Sequence, residues 1–309
     1  MKKQIYFWLE DYFFDPKPYQ KAISYLLLPL SFIYFLTVKL KEALSKKEDF
    51  SIPIISVGNL ILGGSGKTPI TIELAKDKKD VAVILRGYKR ESSDLLVVSD
   101  KGEIKCSTKE SGDEAMLLAT SLKNATIIVS KDRKEAIRLA KNMGAKVIFL
   151  DDAYSKKSIK KFDILIDPML KNINSFTLPS GPYREPKSEY KRADLLLKEG
   201  IDFKRVVNIK NKTKNMILIT AISKPQRLFN YINKDIPHYF FEDHYPYKKE
   251  EIEDLIKKHK ATSILTTRKD YVKLKEFGFE ISIIDLKIKI DPKKLKIVDN
   301  FIEQFDKIS

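Results

Sequence analysis

The sequence predicts an α/β protein with a mostly parallel sheet, a second, smaller α/β domain and a helical, membrane-associating segment at its N-terminus. Three observations predict it. Short β-branched runs at residues 52–57 (IPIISV), 81–85 (VAVIL), 126–130 (TIIVS) and 147–150 (VIFL) alternate with helical patterns, the mark of strands buried on both faces. The first run leads through a glycine-rich turn into Lys67-Thr68 and a helix, which gives the core a P-loop NTPase-like beginning. Ahead of it lies an apolar stretch, residues 23–38 (ISYLLLPLSFIYFLTV), bordered by lysines.

Composition narrows the class. At 309 residues the chain has material for about two structural units. Its 58 Lys and Arg against 42 Asp and Glu leave +16, while 43% of residues are hydrophobic, too many for a disordered polyelectrolyte. The lysines are spread along the chain in pairs such as Lys156-Lys157 and Lys257-Lys258, so much of the excess is a solvated surface and the rest suits anionic ligands or an anionic membrane. One cysteine, Cys106, and three histidines exclude a disulfide framework and a Cys- or His-rich metal site. No zinc-finger spacing, RNP-like aromatic pair or repeat is present, and no nucleic-acid partner is expected.

Residues 1–50 form the N-terminal segment. The run at 23–38 is interrupted by Pro29 and has Lys17 and Lys21 before it and Lys39 and Lys41 after it. It is short for a bilayer crossing, which needs about 20 apolar residues. An interfacial helix with leucines and aromatics at headgroup depth fits better, with an internal packing helix as the alternative.

Residues 51–204 form the P-loop core. Gly63, Gly64, Ser65 and Gly66 precede Lys67 and Thr68. Glycines let backbone N–H groups turn toward phosphate oxygens, Lys67 can reach the β and γ phosphates of ATP, and the Thr68 hydroxyl can hold Mg²⁺. The general pattern places its first glycine at position 61, where this chain has isoleucine. The strand at 81–85 ends in Arg86-Gly87-Tyr88-Lys89-Arg90; such strand ends bind ligands in α/β folds, so Arg86, Lys89 and Arg90, with Arg133 after the next strand, are candidate contacts to substrate. Asp151 and Asp152 close the strand at 147–150, where a phosphoryl-transfer enzyme needs a carboxylate for Mg²⁺. Glu110-Ser111-Gly112-Asp113-Glu114 reads either as a helix N-terminus or as an active-site carboxylate.

Residues 205–309 form the smaller domain, with strands expected around 205–210, 216–223, 238–241 and 262–267 and a C-terminal helix after Pro292 that can pack back on the core. His244, between Asp243 and Tyr245 ahead of a charged helix, has a setting in which it can accept or tune a proton. His238 reads as strand packing and His259 as a solvated helix residue.

Taken in order, SVGNLILGGSGKTP (56–69), RGYKR (86–90), ESGDEA (110–115), KDR (131–133), Asp151-Asp152, LPSGPYREP (178–186), EDHYPY (242–247) and TTRKD (266–270) resemble the tetraacyldisaccharide 4′-kinases, the lipid A 4′-kinases of Gram-negative bacteria. The resemblance spans most of the chain. It implies a peripheral or monotopic enzyme on the cytoplasmic face of the inner membrane, with no obligate protein partner, that moves the ATP γ-phosphoryl group to the 4′-hydroxyl of an acylated disaccharide 1-phosphate. It also implies that Lys67 neutralises charge on the transferred group, that Thr68 with Asp151 or Asp152 organises Mg²⁺, and that Asp113 accepts the sugar hydroxyl proton with His244 as its partner. The family commonly continues the aspartate pair as Gly-Phe-Gln-His. Here Ala153-Tyr154-Ser155-Lys156 follows, so a role for that second histidine does not carry over. Alternatives of other classes are a P-loop nucleotide-hydrolysing switch or metallochaperone and a non-enzymatic membrane scaffold.

Overall fold

The structure is a computed structural model that describes residues 2–63, 66–88, 90–170, 173–222, 225–242 and 245–306. Three helices open the chain: α1 (Lys2–Phe14), α2 (Pro18–Leu26) and α3 (Leu28–Ala43). Pro29 lies in the first turn of α3, where its missing N–H breaks no helical bond. The apolar run is accordingly split into two helices bent by 55°, and no single helix among the described residues is long and apolar enough to cross a membrane. Helix α3 has two faces. Leu30, Ile33, Leu36 and Leu40 are 48–61% exposed, whereas Ser31 is buried and Tyr34, Lys39 and Glu42 bond to other parts of the chain.

The fold is α/β with a mostly parallel main sheet. Its strands are β1 (Ile54–Asn59), β2 (Val81–Leu85), β3 (Leu96–Asp100), β4 (Glu103–Ile104), β5 (Thr126–Val129), β6 (Val147–Asp151), β7 (Phe162–Asp167) and β8 (Leu195–Lys198). They are ordered β4-β3-β5-β2-β6-β1-β7-β8. The pairs β1–β7, β7–β8 and β2–β5 are parallel, and β3 runs antiparallel to β4 and β5. Helices α4 (Lys67–Ala75), α5 (Thr108–Ser111), α6 (Asp113–Ser121) and α7 (Arg133–Asn142) lie between strands in the chain. Every residue of β1, β2, β5 and β6 is buried, as continuous apolar runs in a covered parallel sheet require.

The second sheet contains β9 (Phe203–Lys210), β10 (Met216–Thr220), β11 (His238–Phe240), β12 (Ser263–Thr267) and β13 (Ile281–Ile290) in the order β11-β10-β12-β13-β9. Alternation along β10 sends Ile217 and Ile219 to one face with Ile252 of α8 (Lys249–His259) and Leu274 of α9 (Arg268–Leu274), and Met216 and Leu218 to the other with Leu228 and Ile232; a strand of period two with both faces apolar is covered on both sides. The chain ends in α10 (Pro292–Asp306).

The chain divides into two compact units. One comprises residues 1–67, 150–203 and 291–309, the other 68–149 and 204–290. Within the first unit Phe301 of α10 packs on Phe162 of β7 with ring centroids 4.7 Å apart, and Lys294 pairs with Asp202 at 3.4 Å. Of the histidines expected to be structural, His238 packs against the rings of Phe229 and Phe240. His259 is not merely solvated, because its ring accepts from or donates to the Tyr239 hydroxyl at 2.9 Å.

Candidate active site

In the first unit the site is built around the end of β1. A Cβ at Gly58 would meet the Cβ of Tyr154 at 2.6 Å, so only glycine lets the segment after β6 lie this close to β1. Beyond Asn59 the loop reaches Gly63 (φ +88°) and Gly66 (φ +85°), and α4 starts at Lys67. These left-handed glycines turn the chain directly ahead of a helix N-terminus, where free N–H groups favour anions. Gly64 and Ser65 lie outside the described residues, and Thr68 follows Lys67 in the first turn of α4.

Lys67 donates to Asn59 Oδ1 at 3.1 Å and stands 3.7 Å from Asp152. Asp152 follows β6 with φ +51°, and its backbone N–H donates to the Val57 carbonyl at 2.9 Å. Asp151, the last residue of β6, is buried. Arg184 completes the cluster. Its guanidinium takes both oxygens of Asp152, at 2.9 and 3.2 Å, and reaches Asn59 Oδ1 at 2.6 Å. Such a fork fixes direction as well as charge. Sequence reasoning passed over Arg184 and Asn59 as site residues. A polar side chain ending a wholly buried strand, and an arginine in the turn-rich stretch at 181–186, were the available signals.

Behind this cluster sits a buried carboxylate, Glu189, 1% exposed. It accepts from Lys39 of α3 at 2.8 Å, the Tyr154 hydroxyl at 2.7 Å and Arg192 at 3.1 Å, with Lys157 at 3.4 Å. Burial disfavours its charge, but Lys39, Tyr154 and Lys157 outweigh burial and hold its pKa at about 2. Tyr34 of α3 donates to the Arg184 carbonyl at 2.9 Å. The buried face of α3 is thus bonded to the segments that carry Asp152 and Arg184. The hydroxyl of Tyr154 is pushed far above its usual range by burial and by Glu189.

In the second unit the expected basic residues have divided tasks. Arg86 lies over the Tyr88 ring at 5.3 Å. Arg90 donates to Ser92 at 3.2 Å and to the carbonyls of Ser93 at 3.2 Å and Val129 at 3.5 Å, so it ties the loop after β2 to the end of β5. Arg133 is buried at the head of α7 and donates to the Ser130 carbonyl. Lys89 lies outside the described residues.

The segment at 110–114 resolves into two helices. Ser107 and Glu110 form a capping box on the short α5, Gly112 ends it, and Asp113 opens α6 with its side chain largely buried. The capping box serves α5, while Asp113 and Glu114 are the acidic residues in the first turn of α6. Asp113 pairs with Lys273 of α9 at 3.1 Å. Sequence reasoning missed Lys273, three residues beyond the TTRKD motif. Asp243 and His244 lie outside the described residues.

Among the described residues no group of three or more His, Cys, Asp or Glu side chains could cage a metal. Asp151 and Asp152 are hard oxygen donors of the kind Mg²⁺ takes, and that ion needs few of them because it keeps several waters and completes its shell with phosphates.

A mostly parallel α/β sheet with a lysine, an aspartate pair and an arginine gathered where β1 and β6 end belongs to the class of α/β proteins that bind ligands at the carboxyl ends of their strands. The profile of one family, tetraacyldisaccharide-1-P 4′-kinase (LpxK), matches residues 23–210 and 204–304. The chain belongs to this family. It is 56% identical over 298 residues to the tetraacyldisaccharide 4′-kinase of Aliarcobacter butzleri, covering 94% of this chain and 95% of the relative. It is 45% identical over 305 residues to that of Campylobacter jejuni, covering 99% of each. A crystal structure of LpxK from Aquifex aeolicus, described as an "apo" form in complex with ATP, superposes with a TM-score of 0.75 at 28% identity, covering 91% of this chain and 99% of that one.

Proposed function

We propose that the chain performs the reaction of its family with the residues described above: transfer of the γ-phosphoryl group of ATP to the 4′-hydroxyl of tetraacyldisaccharide 1-phosphate, in lipid A biosynthesis. The observation that carries the site assignment is the position of Lys67, at the head of α4 after two left-handed glycines and 3.7 Å from Asp152. In this mechanism the 4′-oxygen forms the new P–O bond as the bond to the β–γ bridging oxygen breaks, and the hydroxyl proton passes to Asp113, with His244 assisting. Positioning and charge stabilisation supply most of the acceleration. Lys67 offers its ammonium to the transferred phosphoryl and the loop at 63–66 offers backbone N–H groups to the phosphates. Arg184 holds Asp152 in place through its fork.

Mg²⁺, when bound, neutralises charge on the phosphate oxygens, and Thr68, Asp151 and Asp152 are the residues to hold it. Of the basic candidates for contact with the phosphorylated substrate, Arg86 is exposed, Arg90 and Arg133 are engaged with backbone carbonyls, and Lys89 lies outside the described residues. The exposed apolar face of α3, with the lysines around it, suits attachment to the anionic cytoplasmic face of the inner membrane. Functionally the chain falls into a membrane-contacting segment (1–50), a P-loop kinase core (51–204) and a smaller domain (205–309).

The test is transfer of label from γ-³²P-ATP to the acylated disaccharide 1-phosphate, comparing the intact protein with Lys67→Ala. Labelled lipid from the intact protein and a loss of at least about 100-fold in the variant is expected. Nucleotide hydrolysis with no labelled lipid would move the protein to the switch class.

A further inference from the structure

We propose that Lys273 is a positioning residue for Asp113, holding its carboxylate ionised and oriented for proton acceptance; this rests on the role given to Asp113 above. Lys273 lies on α9, one turn after Asp270. A lysine three residues past an aspartate on a helix ordinarily pairs with it. Here the local pair is the loose one, at 3.9 Å, and the ammonium reaches instead to Asp113 Oδ2 on α6 at 3.1 Å and to the Tyr245 carbonyl at 3.1 Å.

Asp270 takes its hydrogen bonds from neutral donors. It is completely buried and accepts from the Thr220 hydroxyl at 2.6 Å, the Thr267 hydroxyl at 3.0 Å, the Tyr247 hydroxyl at 3.1 Å and the Ala221 N–H at 3.2 Å. Three of these donors, from Thr220, Thr267 and Ala221, are on Oδ2 and one, from Tyr247, is on Oδ1. Asp270 is thus satisfied by neutral groups, while Lys273 stands 3.9 Å from Oδ1, beyond hydrogen-bond distance. Of the two carboxylates, Lys273 stands nearer Asp113, at 3.1 Å against 3.9 Å. Both partners are largely withdrawn from water, with side-chain exposures of 15% and 11%. A desolvated ammonium is costly unless its partner needs it. An acceptor of the sugar proton must be anionic and must point in one direction, and an ammonium anchored on a backbone carbonyl supplies both conditions. Its ammonium also lies over the Tyr247 ring, 5.2 Å from the centroid, a cation–π contact that helps to fix its place.

The experiment measures kcat and the KM for ATP of the full chain on the acylated disaccharide 1-phosphate for Lys273→Met, Lys273→Arg, Asp113→Asn and the Asp113→Asn/Lys273→Met double variant. Lys273→Met is expected to lower kcat about 10- to 100-fold, with the KM for ATP changed by less than about 2-fold, and Lys273→Arg to recover most of the loss. In the Asp113→Asn background, already down by about 100-fold or more, adding Lys273→Met is expected to change kcat by less than about 2-fold, because two residues that act as a unit are not additive. An unchanged kcat in Lys273→Met, or the same fold loss in both backgrounds, would overturn the proposal while leaving Asp113 as the base. A fully active Asp113→Asn would overturn both. Lys273→Gln is measured alongside, and reads the same way if the methionine variant fails to fold.

Discussion

Glu189→Gln removes the charge that joins α3 to the site. In the folded protein the Glu189 carboxyl titrates at about 2, against 4.5 for the unperturbed group. A depressed carboxyl pKa stabilises the fold above the unfolded value, and that stabilisation is lost as pH falls toward the folded one. The difference of 4.5 − 2 corresponds to about 3 kcal/mol at pH 7 and about 2 kcal/mol at pH 3.5. Glutamine keeps the shape and an acceptor oxygen but cannot balance Lys39, Lys157 and Arg192, all within 3.4 Å of the carboxylate. The variant should therefore be less stable than the parent by about 3 kcal/mol at neutral pH, in line with breaking a buried ion pair. The gap should narrow steadily between pH 4.5 and 2. Urea unfolding of both proteins at a series of pH values, read by circular dichroism, measures the gap directly. A gap below about 1 kcal/mol at pH 7, or one that stays constant down to pH 3, would refute the linkage assigned to Glu189.

Arg184→Lys exchanges a two-pronged contact to Asp152 for a point charge; the lost charge-assisted bond, about 1.5 to 3 kcal/mol, predicts a fall of about 10- to 100-fold in kcat/KM for ATP with the melting temperature nearly unchanged, and steady-state kinetics at varied ATP would expose an unaffected enzyme. Gly58→Ala places a methyl 2.6 Å from the Tyr154 Cβ and should cost about 1 to 3 kcal/mol in urea unfolding; a cost below about 0.5 kcal/mol would show that β1 and the segment after β6 can part freely. Replacing Leu30, Ile33, Leu36 and Leu40 by serine removes apolar side chains worth roughly 1.5 kcal/mol each when inserted. Flotation with vesicles rich in anionic lipid should then fail, while activity on detergent-dispersed substrate persists. Unchanged flotation would place the membrane contact elsewhere.

Strands at 54–59, 81–85, 126–129 and 147–151 were legible because uninterrupted β-branched runs have few other fates in a chain of this composition. The glycine turn before Lys67 was equally plain, since strand, glycines and helix follow one another locally. Residues brought in from afar were not visible. Arg184 is 32 residues from Asp152 and 125 from Asn59, and nothing in its local pattern announces that contact. Lys273 meets Asp113 across about half the chain, and within its own helix the spacing points only to Asp270, three residues earlier. Strand β13 was overlooked although residues 285–290 alternate polar and apolar, because the adjacent Ile283-Ile284 breaks the alternation in its first half. Within the apolar N-terminal stretch Pro29 marked the break, but the assignment of Tyr34, Lys39 and Glu42 to a buried face depended on residues 184–192, which no periodicity within the helix encodes.

The central claim is that one phosphoryl group moves from ATP to one hydroxyl of the disaccharide. ³¹P NMR of the lipid product, taken with the ratio of ADP formed to lipid consumed, measures it most directly. A new phosphomonoester signal at the 4′ position, an intact 1-phosphate and one ADP per product are predicted, all abolished by Lys67→Ala. Phosphate released to water, or a signal at any other position, would contradict it.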